Sequence, residues 1–170
     1  VYYIREKARE SYVAGHYNVD QKDVILTGAN GVDTPEYMDV LYYAHEQDLS
    51  KPEHYEYVTS RVDIENYMDY IIAEIYIANP DNGNIRYFKT VDGKWKWIMY
   101  DTDYGFSSAG QNTVYEHLNP AGTGSGDNFS TKMINGLLKN PEFKEQFIRR
   151  IAWQINNIWT EENVSARIDE

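Results

Sequence analysis

The stretch from Asn79 to Phe106 constrains the fold of this chain more than any other. Here the backbone leaves a helix, enters a hairpin and turns again. Upstream, Ile64, Met68, Ile71 and Ile75 recur at helical steps, and Ile72, Tyr76 and Ile77 widen the stripe. Asp63–Ala78 therefore reads as a helix buried on more than one side. Asp63 is its N-cap, Glu65 suits the positive end of the helix dipole, and Pro80 ends it. The loop Asn-Pro-Asp-Asn-Gly-Asn follows at 79–84. Ile85–Val91 and Lys94–Tyr100 read as strands joined by Asp92-Gly93, a two-residue turn that tolerates positive φ. Trp95, Trp97 and Met99 share one face of the second strand. Asp-Thr-Asp-Tyr-Gly-Phe closes the segment at 101–106.

Around this hairpin the chain is mainly helical. Arg5–Gly15 reads as a helix, as does Glu36–Gln47, whose Tyr37, Val40, Leu41 and Ala44 line one face. His54–Val62 is a weaker helical segment after Pro52. Ser130–Leu138 is short. The next helix is capped by Asn140 with Pro141 in its first position, and carries the stripe Phe143, Phe147, Ile151, Ile155 and Ile158. Thr160–Glu170 looks like the start of another. Val1–Ile4 and Val24–Leu26 are short strand-like runs, Thr27–Pro35 is turn-rich, and Ser107–Asn128 reads as a long loop of Gly, Ser and Asn. The expected class is α+β, mainly helical, in one domain over residues 1–170.

Composition narrows the functional classes. A formal charge of -11 argues against nucleic acid and anionic membranes as partners, because neutralising phosphates needs a surplus of Lys and Arg. It leaves room for a nucleotide bound through a divalent cation. No cysteine is present, so disulfides, thiolate metal sites and cysteine nucleophiles are out. No apolar run approaches the ~18 residues of a membrane span. The 16 tyrosines and 4 tryptophans fall mostly at helix- or strand-compatible positions and are expected to fill the core and its edges. His16, His45, His54 and His117 show no metal-ligand spacing. His117 lies in the long loop, where it could touch a substrate. Ser107, Ser108 and Ser125 lack an adjacent base for a hydrolase triad. Arg149-Arg150 reads as a solvated face.

The hairpin gives the acidic loops their interest. Neighbouring antiparallel strands lie about 5 Å apart, so the open ends of the hairpin meet in space. Asp81 and Asn84 enter it; Asp101 and Asp103 leave it. Carboxylates and an amide oxygen converging there are hard ligands suited to Mg²⁺ or Mn²⁺. Protein kinases use the same order of parts: an Asp that takes the hydroxyl proton, an Asn that holds a metal, a hairpin, then a metal-binding Asp. The Asp-to-Asn gap is three residues here and five in those kinases, no His-Arg precedes Asp81, and Tyr104-Gly105 echoes a Phe-Gly pair only loosely.

Five segments in order resemble the spore coat protein H (CotH) kinase family across nearly the whole chain. They are Tyr2–Lys7, Glu10–Tyr12 with His16-Tyr17, Arg61–Tyr70, Ala78–Asp81 with Asn84, and Lys94–Trp97 through Tyr100–Phe106. In the third, Asp63 and Asn66 match an Asp-x-x-Asn helix start. The resemblance implies an atypical protein-kinase-like fold and transfer of the ATP γ-phosphate to Ser/Thr of secreted or spore-surface bacterial proteins, with Mg²⁺ or Mn²⁺. Asp81 would be the catalytic base and Asn84 a metal ligand. Asp101 would be the main metal ligand, and Asp103 would share that role or support the loop. Residues 1–7 resemble the segment near the hinge between kinase lobes. The chain is therefore expected to be the helical C-terminal lobe, without the N-terminal lobe that clamps ATP, and inactive on its own. Two other readings stay open: a non-catalytic surface or adhesion module on a kinase-like scaffold, and a carbohydrate-active enzyme using a carboxylate pair.

Overall fold

The computed structural model describes residues 7–28, 34–80, 84–107, 110–119 and 129–168. In chain order the elements are α1 (Glu10–Tyr17), β1 (Val24–Gly28), α2 (Pro35–Glu46), α3 (Pro52–Thr59), α4 (Ile64–Tyr76), β2 (Arg86–Thr90), β3 (Lys96–Ile98), α5 (Thr113–Leu118), α6 (Phe129–Leu137), α7 (Pro141–Asn157) and α8 (Glu161–Ile168). The strands form one antiparallel sheet in the order β1-β2-β3. The architecture is the mainly helical α+β class that the sequence implies. The strand expected at Val1–Ile4 lies outside the described residues.

The register gives the sheet two apolar faces. Leu26 lies opposite Phe88, and Tyr87 opposite Trp97. Tyr87, Trp95 and Trp97 point into the main core with Tyr37, Val40 and Leu41 of α2 and Tyr67, Met68 and Ile71 of α4. Val24 and Phe88 face the other way, onto Val13 of α1. Tyr37 stacks on Tyr87 at 3.8 Å between centroids and meets Trp95 edge-on at 5.3 Å. Such pairs add about 0.5–1.5 kcal/mol each beyond area burial. Tyrosine thus fills the core, as expected. α6 lies so close to α2 that a Cβ on Gly136 would stand 1.9 Å from the Ala44 carbonyl oxygen.

The start of α4 fastens the hairpin. Asp63 caps the helix, accepting from the Asn66 N–H at 3.1 Å. Its backbone N–H donates to the Trp95 carbonyl, and the Trp95 N–H to Arg61. One turn on, the Asn66 side chain works as a substitute strand. Its Oδ1 accepts from the Trp97 N–H at 2.6 Å and its Nδ2 donates to the Trp97 carbonyl at 3.2 Å. The outer edge of β3 is therefore satisfied from residues 61–66 rather than left open.

Asp63 also pairs with Lys96 of β3 at 2.8 Å. Burial pushes its carboxyl up, but the Lys96 ammonium and the Asn66 N–H outweigh burial and hold it below the ordinary carboxylate range. A lowered folded-state value stabilises the fold above the unfolded value near pH 4, and that contribution is lost as pH falls through the folded value. Asp63→Asn keeps a capping oxygen but loses the ion pair. The wild-type advantage over this variant, measured by urea melts, should be full at pH 6 and shrink below pH 4. A pH-independent difference would remove the ion pair from the account.

Several elements depart from the sequence reading. α1 starts at Glu10 and runs through Gly15 to Tyr17. The hairpin turn spans Val91–Gly93 and is closed by the Gly93 N–H on the Thr90 carbonyl. It needs no positive φ: the described residues have a positive-φ glycine only at Gly28. Met99 lies past the end of β3 and is exposed, unlike Trp95 and Trp97. On α7 the stripe is only half covered, since Phe143 and Phe147 are buried while Ile155 and Ile158 are exposed. Arg150 is no solvated charge. It clasps Asp69 of α4 with two bonds of 2.6 Å, and Gln154 adds a third at 2.9 Å. The long loop also contains a helix, α5.

Candidate functional site

The site is built on the exit of α4. The helix is closed by two backbone bonds, Ala78 N–H to the Ile75 carbonyl and Asn79 N–H to the Glu74 carbonyl. Ala78 takes the left-handed conformation, φ 55°, that such a closure needs. The helix thus ends before Pro80, through its own backbone rather than through the proline. Asn79 is buried, and its Nδ2 donates to Glu74 Oε2 at 2.8 Å. Pro80 is exposed. Asp81, the expected base, lies outside the described residues, with Asn82 and Gly83.

At Asn84 the chain re-enters the described structure. Ile85 plugs into the main core and Arg86 begins β2. Asn84 Nδ2 donates to Asp101 Oδ2 at 2.6 Å, across 17 positions of sequence. The two ends of the hairpin meet as the strand geometry requires, and these two predicted residues are in contact. Asp101 has φ 53°, a left-handed conformation that costs a non-glycine residue about 1–2 kcal/mol. Asp tolerates it better than most residues. Asp103 follows in the exposed turn 103–106. The described structure records no bond from Asp103 to either neighbour.

That turn is pinned from behind. Phe106 is also left-handed, φ 57°, which is unusual for a bulky residue. Its N–H donates to the Ile77 carbonyl, and its ring meets Tyr76 edge-on at 5.8 Å. Trp159, beyond α7, stacks on Tyr76 at 4.0 Å. The turn therefore rests on the same helix exit that launches the 79–84 loop.

Three functional candidates take roles that the sequence does not assign to them. Arg86, the first residue of β2, sits two residues after Asn84. Its guanidinium lies 4.7 Å from the Tyr100 ring centroid, and its Nε is buried with no hydrogen-bond partner. Glu74 and His117 are the others, and both are buried. His117 does not project from a loop towards a substrate. It lies in the last turn of α5, with Nε2 3.2 Å from the Asn79 carbonyl oxygen. Burial pushes its imidazole down from the usual value, against the pull of that carbonyl and of Glu116.

The donor set fits a hard divalent cation. Asp101 is exposed, and Asn84 beside it carries a second oxygen ligand. Among the described residues no group of three or more His, Asp or Glu could hold a metal unaided. Mg²⁺ does not require one, since it commonly takes one or two protein ligands and completes its shell with water and phosphate oxygens. A concavity of about 700 Å³ lies elsewhere, between α4 and α7 beside Asp69, Arg150 and Trp153. None of the predicted site residues lines it.

No helix among the described residues is long and apolar enough to cross a membrane. A family model described as CotH kinase protein matches residues 1–170, the whole chain. No curated protein and no solved structure matches it.

Proposed function

We propose, from the premise that the chain belongs to the CotH kinase family, that it supplies the catalytic half of a protein kinase. Such a kinase transfers the γ-phosphate of ATP to Ser/Thr hydroxyls. The family carries the kinase-like function, and with it ATP and a divalent metal in general terms. The observation that carries the reading to these residues is the 2.6 Å contact between Asn84 and Asp101. It joins an amide and a carboxylate at the mouth of the hairpin, next to a pinned turn.

In this reading Asp81 accepts the proton of the substrate hydroxyl as its oxygen bonds to the γ-phosphorus. The bond from that phosphorus to the bridging oxygen breaks, and ADP leaves. Asn84 and Asp101 would hold the metal, with Asp103 sharing the task or supporting the turn. When bound, the cation supplies neutralisation of the phosphate charge. Arg86 adds a positive charge against Tyr100, the residue before Asp101, in a chain of net charge -11. A strand-rich lobe covering the phosphates, as kinases have, would complete the site. Secreted or spore-surface proteins of a bacterium are the proposed substrates. Among the described residues the partner of Asp101 is the Asn84 amide, an arrangement that supports the metal-binding reading.

The test is phosphate transfer from γ-labelled ATP to casein by the full-length protein, with Mg²⁺, with Mn²⁺, and with chelator. Metal-dependent label on Ser or Thr is the expected result. No transfer and no nucleotide binding under any of these conditions would leave a kinase-like shell with another role.

A further inference from the structure

Alternate carbonyls at the exit of α4 are all bonded by the segment that follows β3. Ile75 accepts from Thr113 Oγ1 at 2.9 Å. Ile77 accepts from the Phe106 N–H. Asn79 is met by His117 Nε2 at 3.2 Å. A carbonyl oxygen can only accept, so this nitrogen carries the proton and the imidazole is the Nε2–H tautomer. Thr113 and His117 are four residues apart on α5, hence on one face. α5 itself is set by Asn112, whose side chain accepts from the Tyr115 N–H at 3.1 Å. The short helix is thus a clip with two donors, closed over the last turn of α4 and the first residue of the loop.

We infer that His117 is a positioning residue that acts through Asn79, the anchor two residues before Asp81 in the sequence. Its imidazole N–H holds the Asn79 carbonyl, two residues before Asp81, while Glu74 holds the Asn79 side chain from the other side. The role in catalysis rests on the kinase reading above; the clip itself does not. The clip has the chemistry for a permanent tie. His117 is only 3% exposed, and burial favours its neutral form, which keeps one N–H and needs no counter-ion. Without that N–H, the buried Asn79 carbonyl loses its bond to α5, and the helix exit loses one of the ties that hold Asn79. Misplacement of a catalytic group by about 1 Å costs about 10²-fold in rate.

Two variants and two measurements separate the possibilities. His117→Gln keeps an amide N–H near the Nε2 position; His117→Phe fills the space without a donor. Amide hydrogen exchange should quicken at Ala78 and Asn79 in His117→Phe, with β2 and β3 unchanged, and return towards wild type in His117→Gln. Phosphate transfer should follow the same order: kcat about 10²-fold lower in His117→Phe, largely restored in His117→Gln, with KM for ATP unchanged in both. Exchange that is the same in all three proteins overturns the clip. Altered exchange with unaltered kcat in an active enzyme overturns the positioning role. Altered exchange in a protein whose wild type transfers no phosphate upholds the clip and removes the kinase reading.

Discussion

Asp81→Asn should lower phosphate transfer by about 10²–10⁴-fold, the usual worth of a general base. The substitution keeps the size of the side chain and removes its capacity to take a proton. ATP binding should stay near wild type, because the expected metal ligands are Asn84, Asp101 and Asp103. Circular dichroism and melting temperature should also hold, since the loop begins at exposed Pro80, beyond the helix closure at Ala78 and Asn79. The kinetic signature is a fall in kcat with KM for ATP unchanged. Wild-type turnover in this variant would take Asp81 out of the mechanism and return the 79–84 loop to an ordinary turn.

Asn66→Ala should cost about 2–4 kcal/mol of stability. The side chain makes two hydrogen bonds to one residue of β3, so its removal strands both the N–H and the C=O of Trp97. Each stranded buried group costs about 1–3 kcal/mol, less where water can enter. Asn66→Asp is the informative companion. It keeps an acceptor for the Trp97 N–H but sets oxygen against the Trp97 carbonyl, and should fall between wild type and Asn66→Ala. Urea melts read the effect directly. A cost under about 0.5 kcal/mol would show that β3 does not depend on this edge. The consequence reaches the site, because β3 delivers Tyr100 and Asp101 to the mouth of the hairpin.

Much of this architecture was legible in the sequence. The stripe of α4, its Asp63 cap and the Asn140-Pro141 start of α7 follow from local rules that tertiary contacts do not override. The meeting of Asn84 with Asp101 follows from strand pairing alone. Other features needed three dimensions. Ile155 and Ile158 continue a perfect helical stripe, yet the packing of α7 on the apolar core extends only as far as Ile151. The Asp92-Gly93 pair suggested positive φ, but the turn uses another geometry. α5 is a single turn and a half with little periodicity to detect. Its worth lies in bonds to residues 38 positions away, Ile75 and Asn79. Arg150 finds Asp69 across 81 positions, which no local pattern announces.

Among the site residues, the sequence could nominate Asp81, Asn84, Asp101 and Asp103 because the chemistry needs their types in that order. It gave Glu74 no role and offered His117 only as a loop residue that could touch a substrate. Their types are common, their spacing is uninformative, and their contribution is to hold a neighbour in place. Left-handed backbone at Ala78, Asp101 and Phe106 was likewise hidden, since each conformation is imposed by what surrounds it. Three such residues around one loop and one turn are what a pre-organised site contains, with strain held by the packed frame.

The most direct test of the central claim is calorimetric titration of ATP into the full-length protein, with Mg²⁺ and with chelator, for the wild type and Asp101→Asn. The account predicts binding that requires the cation and is lost, or weakened at least about 100-fold, in Asp101→Asn; 100-fold is about 2.7 kcal/mol. Equal binding by the two proteins, or binding that ignores the cation, would contradict it.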